Sequence, residues 1–412
     1  MRSRTSMFGC LLTVALAWSA AAGQEWTRFR GADGTGIGKG KSIPTSFVEA
    51  DCRWKVKLPA PGHSSPVLWG EKIFLTCSPT RGPQRQVVCL SAADGSLLWT
   101  WKDKFSPYRH NRLNSFAAST PAVDADRAYI SWVTGATFEV VALDHAGKPA
   151  WRRKIGDFRA RHGAGASAIV LGDVVIAGNT HIGQSSFMIG LDAKTGEVRW
   201  KRDCKSGPTS YVTPGIYRPP GGAVEVLLVS SSHGVTSLDP GTGRVNWEAG
   251  GPFRLKSVAS PVVAGGLVFA SAGQGGSARE SAAVRPAAGG KKAEVAYRLG
   301  KFVPYVPTPI VVGEHVYVLH DRGRFTCVQP ETGKVLWEGQ MTGTFYASPV
   351  SVNGRIYCIN TKGEMTVVSA GGEFKVLATS QLPEGTHATP AIAGGRMYLR
   401  TFNHLYCLGG KP

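Results

Sequence analysis

A tryptophan preceded by a glycine turn recurs along the chain, and this repeat constrains the fold more than any other feature. The segment LDAKTGEVRW, residues 191–200, is the clearest copy. The tryptophans that end a copy with glycine four residues earlier are Trp99, Trp151, Trp200, Trp247 and Trp337. Trp54 has the ring without the turn, and Tyr297 and Leu377 take the corresponding places in two degenerate copies. Such regular self-similarity is typical of an array of equal structural units.

A hydroxyl residue, usually followed by proline, opens each unit. These openers are Ser65, Thr120, Ser167, Thr213, Ser260, Thr308, Ser348 and Thr389. Successive openers lie 40 to 55 residues apart. Eight openers and eight anchor positions predict eight repeats.

Each repeat reads as four short strands. In residues 348–377 the runs SPVSV, RIYCI, MTVVS and FKVL are separated by Asn-Gly, Lys-Gly and Gly-Gly. These dipeptides supply the positive φ that tight hairpins need. Four antiparallel strands per unit predict an all-β fold, an eight-bladed β-propeller of four-stranded antiparallel blades.

The two ends of the chain predict how the ring closes. The last unit ends with Leu405–Leu408 and has no tryptophan strand after it, whereas a spare tryptophan strand surrounds Trp54. We therefore expect the N-terminal strand to complete the last blade, which removes an exposed edge. The anchor rings are expected to fill the gaps between blades, where large side chains pack well.

The first residues have the pattern of an export signal. Arg2 and Arg4 precede the apolar stretch Leu11–Trp18, and Ala20–Ala22 fits a cleavage site. We expect residues 1–23 to be a signal peptide, residues 24–412 to form one propeller domain, and the protein to be periplasmic or extracellular. No later window is long and apolar enough to predict a transmembrane segment.

The net charge indicates which class of partner the protein binds, and the cysteine count indicates whether disulfides hold the fold. The net charge is +19, or +17 once Arg2 and Arg4 are removed, which favours acidic partners. None of the recognised nucleic-acid-binding patterns is present, so we expect no sequence-specific nucleic acid. Seven cysteines remain without Cys10, and the odd count argues against a complete disulfide framework. We expect a monomer.

The repeat, with its Ser/Thr-Pro opener and its L-D-x-x-T-G-x-x-x-W turn, resembles the pyrroloquinoline-quinone-like (PQQ-like) propeller family. The N-terminal segment Trp26–Gly31 is similar to the start of many exported bacterial proteins of this type. The family includes quinone-dependent dehydrogenases and non-enzymatic scaffolds such as the outer-membrane assembly lipoprotein BamB. The resemblance implies the fold, and it leaves the activity open because the repeat residues hold blades together.

The chain departs from the quinone-dependent members of the family. Those enzymes stack the quinone on a ring made by two adjacent cysteines, and no two cysteines are adjacent here. No equivalent of their calcium-binding Glu and Asn or their catalytic Asp is evident. We therefore expect no cofactor, and PQQ with calcium is the alternative.

Two long connections between blades predict a binding face. They join the first blade to the second and the second to the third, and both are rich in basic and aromatic residues. Guanidinium groups beside rings suit carboxylate, sulfate or phosphate. The expected contacts are Arg109, His110, Arg112, Arg159, Arg161 and His162. The residues expected to join the same face are Arg81, Arg85, His181, Arg254 and Lys256.

The residues three positions before each opener proline should ring the mouth of the channel. The large ones are His63, Tyr211, Tyr346 and His387. Ring closure places His63 beside His387, but two histidines without a carboxylate make a poor metal site. Hydrogen-bonded channel lining is the preferred interpretation.

Two functional hypotheses follow. The first is a non-catalytic exported propeller that binds a protein or an anionic polymer on the long-loop face. The second is an enzyme, either quinone-dependent or acting on a polysaccharide, with its site in the central channel. No serine nucleophile motif and no phosphate-binding loop supports a further alternative.

Overall fold

The computed structural model describes residues 25–40, 42–79, 82–276, 278–287, 292–300 and 303–409. In these residues eight antiparallel sheets of four strands form a ring, so the predicted eight-bladed propeller is confirmed. One 3-10 turn, Glu49–Asp51, precedes the first strand, and no described helix is long and apolar enough to cross a membrane. The predicted signal peptide, residues 1–23, lies outside the described residues.

The first half of the ring contains four blades, each running from an inner strand at the channel to an outer strand. The first strand of the chain, β1, is Trp54–Lys57. Blade 1 is β2 (Val67–Trp69), β3 (Lys72–Cys77), β4 (Gln84–Ser91) and β5 (Leu97–Lys104). Blade 2 is β6 (Ala122–Val123), β7 (Arg127–Thr134), β8 (Thr137–Asp144) and β9 (Pro149–Asp157). Blade 3 is β10 (Ile169–Leu171), β11 (Val174–Asn179), β12 (Phe187–Asp192) and β13 (Val198–Asp203). Blade 4 is β14 (Gly215–Tyr217), β15 (Glu225–Ser230), β16 (Gly234–Leu238) and β17 (Val245–Ala249).

The second half repeats this order. Blade 5 is β18 (Val262–Ala264), β19 (Leu267–Gly273), β20 (Arg279–Arg285) and β21 (Glu294–Tyr297). Blade 6 is β22 (Ile310–Val312), β23 (His315–Leu319), β24 (Arg324–Val328) and β25 (Val335–Gln340). Blade 7 is β26 (Val350–Val352), β27 (Arg355–Ile359), β28 (Glu364–Ser369) and β29 (Val376–Gln381). Blade 8 contains β30 (Ala391–Ala393), β31 (Arg396–Arg400) and β32 (His404–Gly409).

The fourth strand of blade 8 comes from the N-terminal part of the chain, as predicted. Strand β1 pairs antiparallel with β32, and Trp54 lies opposite Cys407. Both ends of the propeller are therefore held in one sheet, and no blade is left with three strands. This closure makes blades 8 and 1 neighbours at the channel.

The anchor tryptophans join each blade to the next. The Trp151 indole N–H donates to the carbonyl of Ala193 in the following blade over 3.0 Å. A Cβ on Gly196 would lie 2.5 Å from the Trp151 ring, so the turn needs glycine for space as well as for its φ of +71°. The other anchors that donate to the next blade in the same way are Trp54, Trp99, Trp200 and Trp337. Trp247 instead donates to the Glu225 carboxylate of its own blade.

The degenerate copy in blade 7 differs from the prediction by one residue. In blade 6 the anchor Trp337 lies opposite Cys327, beside a β-bulge in the pairing of the third and fourth strands. In blade 7 the residue beside the same bulge is Ala378, opposite Val367, and not Leu377. The turn before β29 is one residue longer than in blade 6, because Ser369 N–H reaches Lys375 whereas Gln329 N–H reaches Lys334. Counting from the turn glycines did not show this insertion.

Residues 25–40 cross one end of the channel, a feature that the sequence did not reveal. Trp26 exchanges two backbone hydrogen bonds with Leu68 of blade 1, and Gly38 N–H donates to Ser351 of blade 7. Asn353, in the first turn of blade 7, donates from its side-chain amide to Gly40. The segment therefore closes the end of the channel that lies at the first-to-second strand turns, away from the long connections.

Two buried arginines hold this plug, residues 25–40, in place. The Arg30 guanidinium donates to the carbonyls of Thr308, Pro309 and Pro349, in blades 6 and 7, at 2.9 to 3.2 Å. Arg28 donates to Pro214 in blade 4 over 2.6 Å. Burial lowers the pKa of Arg30 to about 9 and that of Arg28 to about 10. The plug thus ties together opposite sides of the ring.

Candidate functional site

Among the described residues, the plugged channel contains a large cavity that opens on the side of the long connections. Its volume is about 550 Å³, which is in the usual range for small-molecule sites. Phe29 of the plug forms part of the floor, and Asn111, Leu113 and His162 from the long connections form part of the rim. The predicted mouth residues His63, Tyr211, Tyr346 and His387 all line this cavity.

The two long connections brace each other at the rim. Asn111 N–H donates to the carbonyl of His162 over 3.2 Å. The Asn114 side-chain amide donates to the carbonyls of His162 and Ala164 at 2.8 and 2.9 Å. These bonds give the rim a defined shape, although its residues belong to loops.

Basic side chains converge on one side of the mouth. His162 and Lys256 line the cavity, and Arg109 and Arg161 are exposed beside them. Burial lowers the pKa of His162, and the nearby charges of Lys256 and Arg161 lower it further. Burial and the charge of Arg161 also lower the pKa of Lys256. Within the described residues none of the four is in a salt bridge, so the cations Arg109, Arg161 and Lys256 have no internal counter-charge.

The other predicted face residues lie near this cluster without joining it. The His110 ring packs against Phe116 with centroids 4.4 Å apart, under the rim. Arg112 is exposed on the side of Tyr346. Burial raises the pKa of Tyr346, and the charge of Arg112 partly offsets this rise. The Arg159 side chain is exposed outside the cavity wall, and the backbone N–H of Arg159 donates to the His181 ring.

Of the four further residues predicted for this face besides Lys256, two are buried. Arg85 is buried between blades 1 and 2, where it pairs with Asp103 and Glu139. His181 is fully buried and lies against the long connection between blades 2 and 3, where its ring accepts the backbone N–H of Arg159. Both predictions were wrong because these side chains point inward from the strand and turn that hold them. Arg81 lies outside the described residues, and Arg254 is exposed.

Aromatic rings form the opposite wall. The His63 and His387 centroids are 4.5 Å apart, and the Tyr346 ring meets His387 edge-on at 4.8 Å. Phe402 supports both histidines from behind. Burial lowers the pKa of His63 to about 3 and that of His387 to about 4, so both rings are neutral at neutral pH.

A chain of hydrogen bonds links the repeat openers around the floor. Going around the ring, six of the eight openers donate their backbone N–H to the hydroxyl of the opener in the next blade, over 2.9 to 3.1 Å. The hydroxyls that accept these bonds are those of Ser65, Thr120, Ser167, Thr308, Ser348 and Thr389. All six line the cavity. The sequence shows a Ser or Thr at every opener. Only the closed ring shows that these hydroxyls accept hydrogen bonds from the neighbouring blade.

The cavity wall does not match a calcium–quinone group. Calcium takes about six to eight oxygen ligands, and Asp321 is the one carboxylate among the described lining residues. Its oxygens already accept the N–H groups of Tyr305 and Val306 and lie 3.4 Å from the Arg279 guanidinium. Within the described part of the chain, no three His, Cys, Asp or Glu side chains are grouped to hold a metal ion. His63 and His387 therefore have no third ligand.

The repeat pattern of this propeller matches one protein family over most of the chain. The family, described as outer membrane protein assembly factor BamB, matches residues 50–213, 188–303 and 306–403. The chain belongs to this family. It is a PQQ-like β-propeller repeat protein, as the sequence resemblance predicted. No curated protein matches the chain.

Solved structures of family members and of dehydrogenases have the same fold. BamB from Moraxella catarrhalis is 15% identical with a TM-score of 0.59, over 86% of this chain and 95% of that chain. A europium-containing methanol dehydrogenase is 12% identical with a TM-score of 0.67, over 93% and 98%. The quinohemoprotein alcohol dehydrogenase from Comamonas testosteroni is 13% identical with a TM-score of 0.65, over 94% and 81%. At these identities the likeness concerns the fold alone.

Proposed function

We propose that this protein is an exported, non-catalytic propeller that binds an acidic partner, either a protein or an anionic polymer, at the open mouth of its channel. The observation that carries the proposal is the cluster of Arg109, Arg161, His162 and Lys256 at the rim. Burial lowers the pKa of Lys256, the charge of Arg161 lowers it further, and a negative ligand group relieves that repulsion. The family match supports a scaffold role, since its description names an assembly factor.

The rim suits recognition better than catalysis. Its cations stand on braced loops, and the one lining carboxylate of the described residues is held by Arg279 and two backbone N–H groups. That carboxylate has no free proton-accepting role in this arrangement. Export rests on the signal-like residues 1–23, and the protein acts as a monomer without a cofactor in this proposal.

The test is binding of poly-L-glutamate to two matched variants. Arg161→Ala/Lys256→Ala removes two charges at the mouth, and Lys148→Ala/Lys194→Ala removes two exposed charges near the turns that precede the outer strands. We expect the mouth variant to bind at least about tenfold more weakly and the control to bind like wild type. Equal losses in both variants would show only attraction to the net charge and would refute a site at the mouth.

A further inference from the structure

The cavity combines two unlike walls, and this combination restricts what it can bind. His162 and Lys256 precede blades 3 and 5, whereas Tyr346, His387 and His63 precede blades 7, 8 and 1. The wall that carries His162 and Lys256 therefore faces the aromatic wall across the ring. One wall favours a negative charge, and the other favours the flat face of a ring.

The floor adds a third requirement. The six linked opener hydroxyls each use their oxygen to accept a backbone N–H, and within the described chain their O–H protons meet no protein acceptor. A hydroxyl can donate as well as accept, so these protons are available to a ligand. All six side chains are at least nine-tenths buried and line the cavity. A ligand rich in oxygen acceptors satisfies them.

We propose that the group entering this cavity is a hexuronate, the acidic end of an anionic saccharide, with its carboxylate at Lys256 and His162 and its sugar face on Tyr346 and His387. This inference rests on the proposed function and names its ligand class. An acidic peptide side chain brings the charge but no oxygen-rich ring. An aromatic acid brings the ring but few acceptors for the floor. A hexuronate carries all three features.

The experiment compares three short probes by calorimetric titration of the full mature chain. Trigalacturonate carries charge and sugar rings, triglutamate carries the charge alone, and maltotriose carries the rings alone. We expect trigalacturonate to bind at least about tenfold more tightly than either of the others. Lys256→Ala should weaken the binding of trigalacturonate and of triglutamate.

Two variants of one residue separate stacking from a loss of fold. Tyr346→Ala removes the ring and should weaken trigalacturonate about tenfold while triglutamate is unchanged. Tyr346→Phe keeps the ring and should bind like wild type, and both variants should keep the wild-type melting temperature.

Two results overturn the inference in different ways. Equal affinity for trigalacturonate and triglutamate, both dependent on Lys256 and neither on Tyr346, refutes the hexuronate and leaves the acidic-partner function standing. Binding of neither acidic probe, or binding that Lys256→Ala does not alter, refutes the hexuronate and the proposed function together.

Discussion

The buried ion network between blades 1 and 2 gives the sharpest prediction for stability. Arg85 is 1% exposed and donates to Asp103 at 3.0 Å, to Val133 at 2.8 Å and to Glu139. Arg85→Met keeps most of the volume and leaves two buried carboxylates. Breaking a buried pair costs about 3–5 kcal/mol, and we expect the lower end, about 3 kcal/mol, because Arg152 still contacts both carboxylates.

The assay is thermal unfolding at pH 7. An unfolding entropy of about 2.1 cal/mol/K per residue gives roughly 0.8 kcal/mol/K for a domain of this size, so 3 kcal/mol corresponds to about 4 °C. The matched control is Arg152→Met, whose side chain is 39% exposed and which should cost less than about 1 kcal/mol, or about 1 °C. A melting temperature of Arg85→Met within about 1 °C of wild type would refute the reasoning, as would an equal loss in the control.

Three further predictions concern the anchors, the aromatic wall and the cofactor. Trp151→Phe keeps a ring but loses the bond to Ala193, and should cost about 1 kcal/mol by denaturant unfolding; no loss would contradict the blade-linking role. His63 and His387 have folded-state pKa values below the unfolded value, so their contribution to stability is full above about pH 6.5 and is lost as the pH falls towards 4. His387→Phe should therefore flatten the fall in melting temperature over that range, and an unchanged slope would contradict it. Titration with PQQ and calcium should give no dye reduction, and saturable dye reduction would establish a quinoprotein.

The sequence predicted the ring because its repeats recur at a regular spacing. Each turn glycine meets the anchor ring of the preceding repeat, as Gly196 meets Trp151, so one repeat is enough to show how two blades pack. The position of Ala378 was missed because one inserted turn residue shifts the count. The plug was missed because Arg28 and Arg30 belong to a segment with no second copy.

The candidate site was predictable in part. Repeat phase alone placed His63, Tyr211, Tyr346 and His387 at the channel, because equivalent positions in a propeller share a level. The sequence could not show that His162 and Lys256 lie across the channel from His63, Tyr346 and His387, since that depends on the closed ring. Arg85 was misassigned because charge alone does not show which face of a strand a side chain takes.

The most direct test of the account is a hydrogen-exchange footprint of residues 24–412 with and without saturating poly-L-glutamate. We predict protection in residues 105–119, 158–166 and 254–258, which carry the rim, and none in the plug or in the turns beside it. Protection confined to the outer strands or to the plugged end would contradict a binding site at the mouth of the channel.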